Sequence, residues 1–222
     1  MSVTVIDAEA GLDALCTKIG ARPLIVCDVD EVVLRFVLPF KAYLLANDHE
    51  LRLESFSLNG NVTCLSTGVK VPDGTVDRLL SGFYDHQEDW QVPFDDARDT
   101  LDRLKAFADV VLLTAMPPCH AEMRRRLLER FGFALPMIAT ERSKGEVVRR
   151  LAEAGVPDIV FIDDMLYNCR SVSGAVPQAL AINLLIDSDY RAIAPKTAEP
   201  AVLATGWPDA ERLVRDRLSD GG

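Results

Sequence analysis

The runs PLIVC (23–27), VVLL (110–113) and IVFI (159–162) are apolar at every position instead of at every second one. A strand that alternates needs cover on one face, whereas a continuously apolar strand needs it on both, as in a parallel sheet sandwiched between helices. Helices of the right kind lie between the runs. FDDARDTLDRLKAFA repeats apolar residues at Ala97, Leu101, Leu104 and Phe107, and KGEVVRRLAEAG is closed by Gly155. The alternation predicts a Rossmann-like α/β fold, with helices on both faces of a parallel sheet and a ligand site outside the carboxyl ends of the strands.

Other segments keep the rhythm. A leading helix is predicted over Asp7–Ile19, capped by Asp7, ended by Gly20 and apolar at Leu12, Leu15, Cys16 and Ile19. A helix at Cys119–Phe131, the strand PMIAT, a helix near Tyr167–Ser173 and the strand QALAINLLI follow, and after a Pro- and Ala-rich stretch from Asp187 comes a last helix near Pro208–Leu218. One block interrupts. Between Arg35 and Val92, PFKAYLLANDH reads as a helix and LRLESFSLNGNVTCLSTG as a β-hairpin turning at Asn59-Gly60, both at positive φ; TVDRLLSGFYDHQEDW reads as another helix. This is too long and too patterned for a loop, so an inserted subdomain at 36–92 is predicted within a core formed by 1–35 and 93–222.

Composition narrows the function classes. With 222 residues, 49% hydrophobic and 26% charged, the chain can build one good core plus an insertion. A formal net charge of −10 disfavours nucleic acid, whose phosphates need a basic footprint. The short basic cluster Arg124–Arg126 reads as the solvated face of a helix. No apolar run approaches the roughly 18 residues that span a bilayer, so no membrane association is expected. Five cysteines without a CxxC pair suggest neither a disulfide framework nor a zinc site, and a reducing cytoplasm is the expected location.

The strand ends carry the chemistry. Asp28 and Asp30 follow PLIVC, Thr114 ends VVLL, Lys144 opens the helix after PMIATERS, and Asp163 with Asp164 ends IVFI. Carboxylates gathered at the ends of buried strands repel one another unless a cation or proton compensates them. Mg²⁺, which takes carboxylate oxygens while keeping waters and substrate phosphate oxygens, suits such a set. A hydroxyl and a lysine beside it could hold an anion. Cys119 and His120 lie close to Thr114 but show no partner that would make either a nucleophile. His49, His86 and Trp90 fall in the inserted block, where they could contact a substrate leaving group, though packing or exposure is the expected reading. Arg35 stands where the chain enters the block, within possible reach of a substrate anion, and Glu31 carries no assigned role.

The four segments CDVDEVV, LLTAM, SKGEVV and FIDDMLYN, in this order over residues 24–170, resemble the motifs of the haloacid dehalogenase superfamily, whose members are mostly phosphatases and phosphotransferases. The inserted block lies where this family places a cap. The resemblance implies that Asp28 is a nucleophile forming an aspartyl-phosphate, that Asp30 is the acid and base, and that Thr114 and Lys144 hold the transferring phosphoryl group. It implies Mg²⁺ bound by Asp28, the main-chain carbonyl of Asp30 and one of the pair Asp163 and Asp164, with Asp164 the direct ligand, Asp163 its neighbour and Asn168 steadying the site from behind. The second aspartate, Asp30, speaks for phosphate over carbon–halogen substrates.

The expected activity is therefore a Mg²⁺-dependent phosphatase for a small phosphorylated metabolite. A phosphomutase or phosphotransferase would use the same residues. A receiver-type signalling domain would carry its acidic pair first and its lysine last, which is not the order here, and retention of all four motifs counts against a purely binding protein. The oligomeric state is left open, with the hairpin edge as one surface on which another chain could pair.

Overall fold

A computed structural model describes residues 5–6 and 10–219. Its centre is β2 (Leu24–Cys27), buried at all four positions. Among the described residues seven strands form one sheet in the order β1 (Val5–Ile6), β6 (Met137–Ala139), β5 (Asp109–Thr114), β2, β7 (Ile159–Asp163), β8 (Leu180–Leu184) and β9 (Ala201–Ala204). Every neighbouring pair is parallel. The sequence expectation is met, with β1 and β9 added at the two edges.

The continuous apolar runs are explained by two separate cores. Ile25, Cys27, Val110, Leu112 and Val160 face one side. Leu24, Val26, Val111, Leu113 and Phe161 face the other. Each such side chain contributes roughly 1.5–3 kcal/mol on burial, so a strand with both faces covered keeps its polar residues near its ends, as with Thr114 of β5 and Asp163 of β7. On one face lie α5 (Ala97–Leu104), buried through Ala97, Thr100, Leu101 and Leu104, and α6 (Ala121–Arg130), preceded by a 3₁₀ turn, together with α10 (Trp207–Ser219). On the other lie α1 (Ala10–Cys16), α7 (Lys144–Glu153) and α8 (Leu166–Ala175). The cap assigned to Asp7 falls outside the described residues. A short helix not foreseen, α9 (Ser188–Ile193), is capped by Asp187, whose carboxylate accepts from the Asp189 and Tyr190 amides. Phe107, expected on the buried face after α5, is 45% exposed and lies beneath the Arg215 guanidinium.

Between β2 and α5 the chain makes an excursion outside the parallel sheet. It holds α2 (Val37–Ala46), the antiparallel pair β3 (His49–Leu51) and β4 (Val62–Cys64), α3 (Asp73–Asp85) and the single turn α4 (Gln87–Trp90). Its two stems meet where the Arg35 amide donates to the Val92 carbonyl and Leu34 bridges Pro93. The hairpin differs from the expectation. Asn59-Gly60 is not a two-residue turn: a long loop, 52–61, joins Leu51 to Val62, and of the pair only Gly60 has positive φ. Asn61 organises this loop by donating to the Ser55 and Ser57 carbonyls, so side-chain hydrogen bonds do the work expected of a tight turn.

Candidate active site

Register brings the polar strand ends to one rim. Cys27 stands opposite Leu112 of β5 and Ile162 of β7, which puts Asp28 level with Asp163 and one step short of Thr114. Lys144, the first residue of α7, reaches across them: its Nζ lies 2.6 Å from Asp28 Oδ1 and 2.7 Å from Asp163 Oδ2. Gly145 lets α7 come this near to α8, since a Cβ there would stand 2.5 Å from the Ser171 carbonyl oxygen.

Oxygens of Asp28, Asp163 and Asp164 lie within 4.8 Å of one another, all buried. Three carboxylates against one ammonium leave two negative charges uncompensated among these four residues. The electrostatics show the deficit. Burial pushes the Asp28 carboxyl up to about 7, against the pull of Lys144 and with Asp163 adding to the rise. Burial raises Asp164 well above the usual carboxylate range, and the Asp163 and Asp28 charges add to it. Burial would lower Lys144, yet the Asp163 and Asp28 charges hold it above an ordinary lysine. This donor set fits a hard divalent cation, which takes carboxylate oxygens and would supply the missing charge.

The two members of the Asp pair differ. Asp163 is enclosed by donors, with Lys144, the Asn168 amide at 3.1 Å from both oxygens and the Met165 N–H at 2.8 Å. Asp164 lines the cavity at the rim, touched by the Tyr190 hydroxyl at 3.4 Å. Asn183, at the end of β8, donates to the Asp164 carbonyl at 2.7 Å and accepts from the Thr197 hydroxyl, so the chain direction at the pair is set from a neighbouring strand. Thr114 is buried and accepts from the Met116 N–H, leaving its hydroxyl proton free to donate.

Asp28, Asp30, Thr114, Lys144, Asp164 and Asn168 all line one cavity of about 330 Å³. Asp30 sits apart from the lysine, against the excursion. Arg124 Nη2 approaches its Oδ1 to 3.0 Å, Gln91 donates to Oδ1 at 2.9 Å and the Tyr84 hydroxyl to Oδ2 at 3.4 Å. Here the reading of Arg124–Arg126 as a solvated face is corrected. Arg126 is exposed and pairs with Glu88, but Arg124 has no exposure; it also bonds Gln87 and Gln91 and lies over the Tyr84 ring. Spacing carried the signal: Arg124 shares its helix face with Ala121, Leu127 and Leu128, the apolar stripe of α6.

Glu31 also has a role that was not assigned. It is buried at φ +59° and its carboxylate accepts from the Phe36 and Val37 amides at 2.9 and 2.8 Å, satisfying the open N-terminus of α2. The remaining candidates lie away from the cavity. Arg35 covers the Phe94 ring, His49 and His86 bond the Asn47 and Gly82 carbonyls, Trp90 packs on Tyr43, and Cys119 is exposed. His120 has a partner after all, Asp85 at 3.0 Å.

No protein-family model matches the sequence, and no curated protein matches it with significance. Solved structures do match in fold. A haloacid dehalogenase family hydrolase from Deinococcus radiodurans with bound phosphate and sodium is 14% identical, with TM-score 0.59 over 92% of this chain and 98% of that one. A haloacid dehalogenase-like family protein from Streptococcus pneumoniae is 12% identical, with TM-score 0.59 over 86% and 98%. A haloacid dehalogenase-superfamily hydrolase from Geobacter sulfurreducens is 16% identical, with TM-score 0.54 over 88% and 97%. The chain has the fold of the haloacid dehalogenase-like hydrolases, and the implied fold stands.

Proposed function

We propose that the protein is a phosphatase that hydrolyses a small phosphate monoester through a phosphorylated Asp28, with Mg²⁺ held by Asp28, Asp164 and the carbonyl of Asp30. The observation that carries this reading is the buried Lys144 ammonium bridging Asp28 and Asp163 beside a cavity that Asp28, Asp30, Asp164 and Thr114 line. Bound there, Mg²⁺ would neutralise charge on the Asp28 carboxylate and the phosphoryl oxygens.

The chain's own residues account for the steps. Asp28 Oδ attacks phosphorus, the bond from phosphorus to the leaving oxygen breaks, and that oxygen takes a proton from Asp30. Water then attacks the aspartyl-phosphate, giving its proton to Asp30, while the bond from Asp28 to phosphorus breaks and phosphate departs. Thr114 donates its hydroxyl to the phosphoryl group and Lys144 offsets negative charge on it, a fixed arrangement that needs no reorganisation during transfer. Asp163 and Asn168 keep Lys144 and the acidic turn in place. The excursion 36–92 acts as the cap, since Gln91 and Tyr84 reach Asp30 from it and its loop 52–61 walls the cavity.

The test is phosphate release from an aryl phosphate with Mg²⁺ and with chelator, beside Asp28→Asn, together with trapping of a phosphorylated Asp28 by mass spectrometry. Metal-dependent release that vanishes in Asp28→Asn is expected. Release that survives the substitution undiminished would falsify the nucleophile assignment.

A further inference from the structure

The cavity says which leaving group it takes. We infer that the substrate is a phosphate monoester whose leaving group is uncharged, apolar and flat, an aromatic ring being the shape the walls fit; this rests on the phosphatase reading above.

The phosphoryl end of the cavity is the polar rim already described. Beyond it the walls are apolar: Phe36 and Val37 at the start of α2, Leu53, Phe56 and Leu58 from the loop 52–61, and Leu80 of α3. The core contributes Met116 and Met165. Most side-chain donors on these walls are already engaged, the exposed Tyr167 hydroxyl aside. The Tyr84 hydroxyl is on Asp30, the Tyr190 hydroxyl on Asp164, the Ser57 hydroxyl on the Asn59 carbonyl, and the Glu31 carboxylate on two amides. A sugar or other polyol would set hydroxyls against the apolar walls formed by Leu53, Phe56, Leu58 and Leu80, and each hydroxyl that loses water there without a partner costs about 1–3 kcal/mol.

Charge excludes the other common class. Among the lining residues Lys144 is the only cation, and it is held between Asp28 and Asp163, whereas Asp28, Asp30, Glu31 and Asp164 are all acidic. A carboxylate on the leaving group would meet four acids and no free base. Arg142 lines an adjoining, more polar cleft that shares Ala115, Lys144, Tyr167 and Asn168 with this one, and it is not among the residues lining this cavity.

Shape favours a ring. Four aromatic side chains line the cavity, Phe36, Phe56 and Tyr84 from the excursion and Tyr190 from the core, with Phe56 stacked on Tyr190 at 4.3 Å, and such rings pair favourably with another ring. The cavity, about 330 Å³, has room for a phosphate with one six-membered ring beside it. Loop 52–61, set by Asn61, thus selects the leaving group through Leu53, Phe56 and Leu58.

The experiment separates binding from turnover. Calorimetry of the intact protein with Mg²⁺ compares three phosphonates that cannot be hydrolysed: phenylphosphonate, phosphonoacetate and 2-hydroxyethylphosphonate. Phenylphosphonate is expected to bind at least tenfold tighter than either of the others, the discrimination an apolar pocket gives for a few methylene equivalents. Phe56→Ser and Leu80→Gln are each expected to erase that preference while leaving the affinity for inorganic phosphate within about twofold. Equal affinities, tighter phosphonoacetate, or no binding of phenylphosphonate overturns the assignment, and the wild-type comparison stands whether or not a variant folds. Turnover of phenyl phosphate against phosphoglycolate is measured alongside. Selective binding without hydrolysis of any ester removes the phosphatase reading and leaves the pocket's selectivity standing; faster turnover of phosphoglycolate removes the selectivity and leaves the phosphatase.

Discussion

Arg124 Nη2 lies 3.0 Å from Asp30 Oδ1, and the arginine side chain has no exposure to solvent. A guanidinium buried this completely depends on its partners, because losing one member of a buried pair leaves the other charge without water or counter-ion. Arg124→Met is expected to lower stability by about 3 kcal/mol in chemical denaturation and to reduce turnover by displacing Asp30. A loss under about 1 kcal/mol with full activity would show that Gln91 and Tyr84 hold Asp30 without it.

Mg²⁺ should stabilise the folded protein by mass action, since three buried carboxylates with one ammonium invite a cation. At a hundred times its dissociation constant the gain is about 2.7 kcal/mol, seen as a rise in Tm that chelator reverses. Asp164→Asn should remove most of this rise. If it leaves the rise intact, the ion binds elsewhere.

Gly145→Ala tests how α7 presents Lys144. The new Cβ would meet the Ser171 carbonyl oxygen and the Ser171 Oγ, each at 2.5 Å, so α7 must move away from α8. A loss of about 1–3 kcal/mol in stability is expected, with a fall in kcat as Lys144 shifts off Asp28 and Asp163. Because the clash with the Ser171 main chain would remain after its hydroxyl is removed, adding Ser171→Gly should not restore activity; full recovery would place the strain in the serine side chain instead.

Acid stability should depend on Glu211. Side-chain hydrogen bonds from Arg103 and then Arg215, partly opposed by burial, hold its carboxyl down at about 2. A carboxyl lower in the folded than in the unfolded state contributes stability that is present above about pH 4.5 and is lost as pH falls through about 2. The Arg103 and Arg215 side chains are 50% and 38% exposed, so solvent screens the network and the contribution is on the order of 1 kcal/mol. Glu211→Gln should flatten the acid limb of the Tm against pH curve between pH 5 and 2; an unchanged limb would mean the network adds nothing in solution.

Much of the fold could be read from one chain because its signals are local. The apolar runs Leu24–Cys27 and Ile159–Ile162 state by their continuity that both faces are covered, and the residues that follow them are the first able to be polar. Short edge elements escaped for the opposite reason: two-residue β1 and four-residue β9 are held by pairing with β6 and β8 and carry little pattern of their own. The hairpin turn was misread because Asn-Gly is a local preference, and the Asn61 hydrogen bonds that shape loop 52–61 prevailed over it.

By itself, then, the sequence determined the α/β architecture and the order of the polar strand ends, Asp28, Thr114, Lys144, Asp163 and Asp164, since strand period and residue type need no distant information. The tertiary structure alone decided what surrounds them. Asp30 meets Tyr84, Gln91 and Arg124 across separations of 54, 61 and 94 residues, and no window of sequence contains both ends of such a contact. The same is true of the division between Asp163 and Asp164, identical side chains made different by which one the donors enclose and which one the cavity reaches. Whether a charge is solvated, paired or poised for chemistry depends on the dielectric and the partners that folding brings to it, and these are properties of the assembled chain.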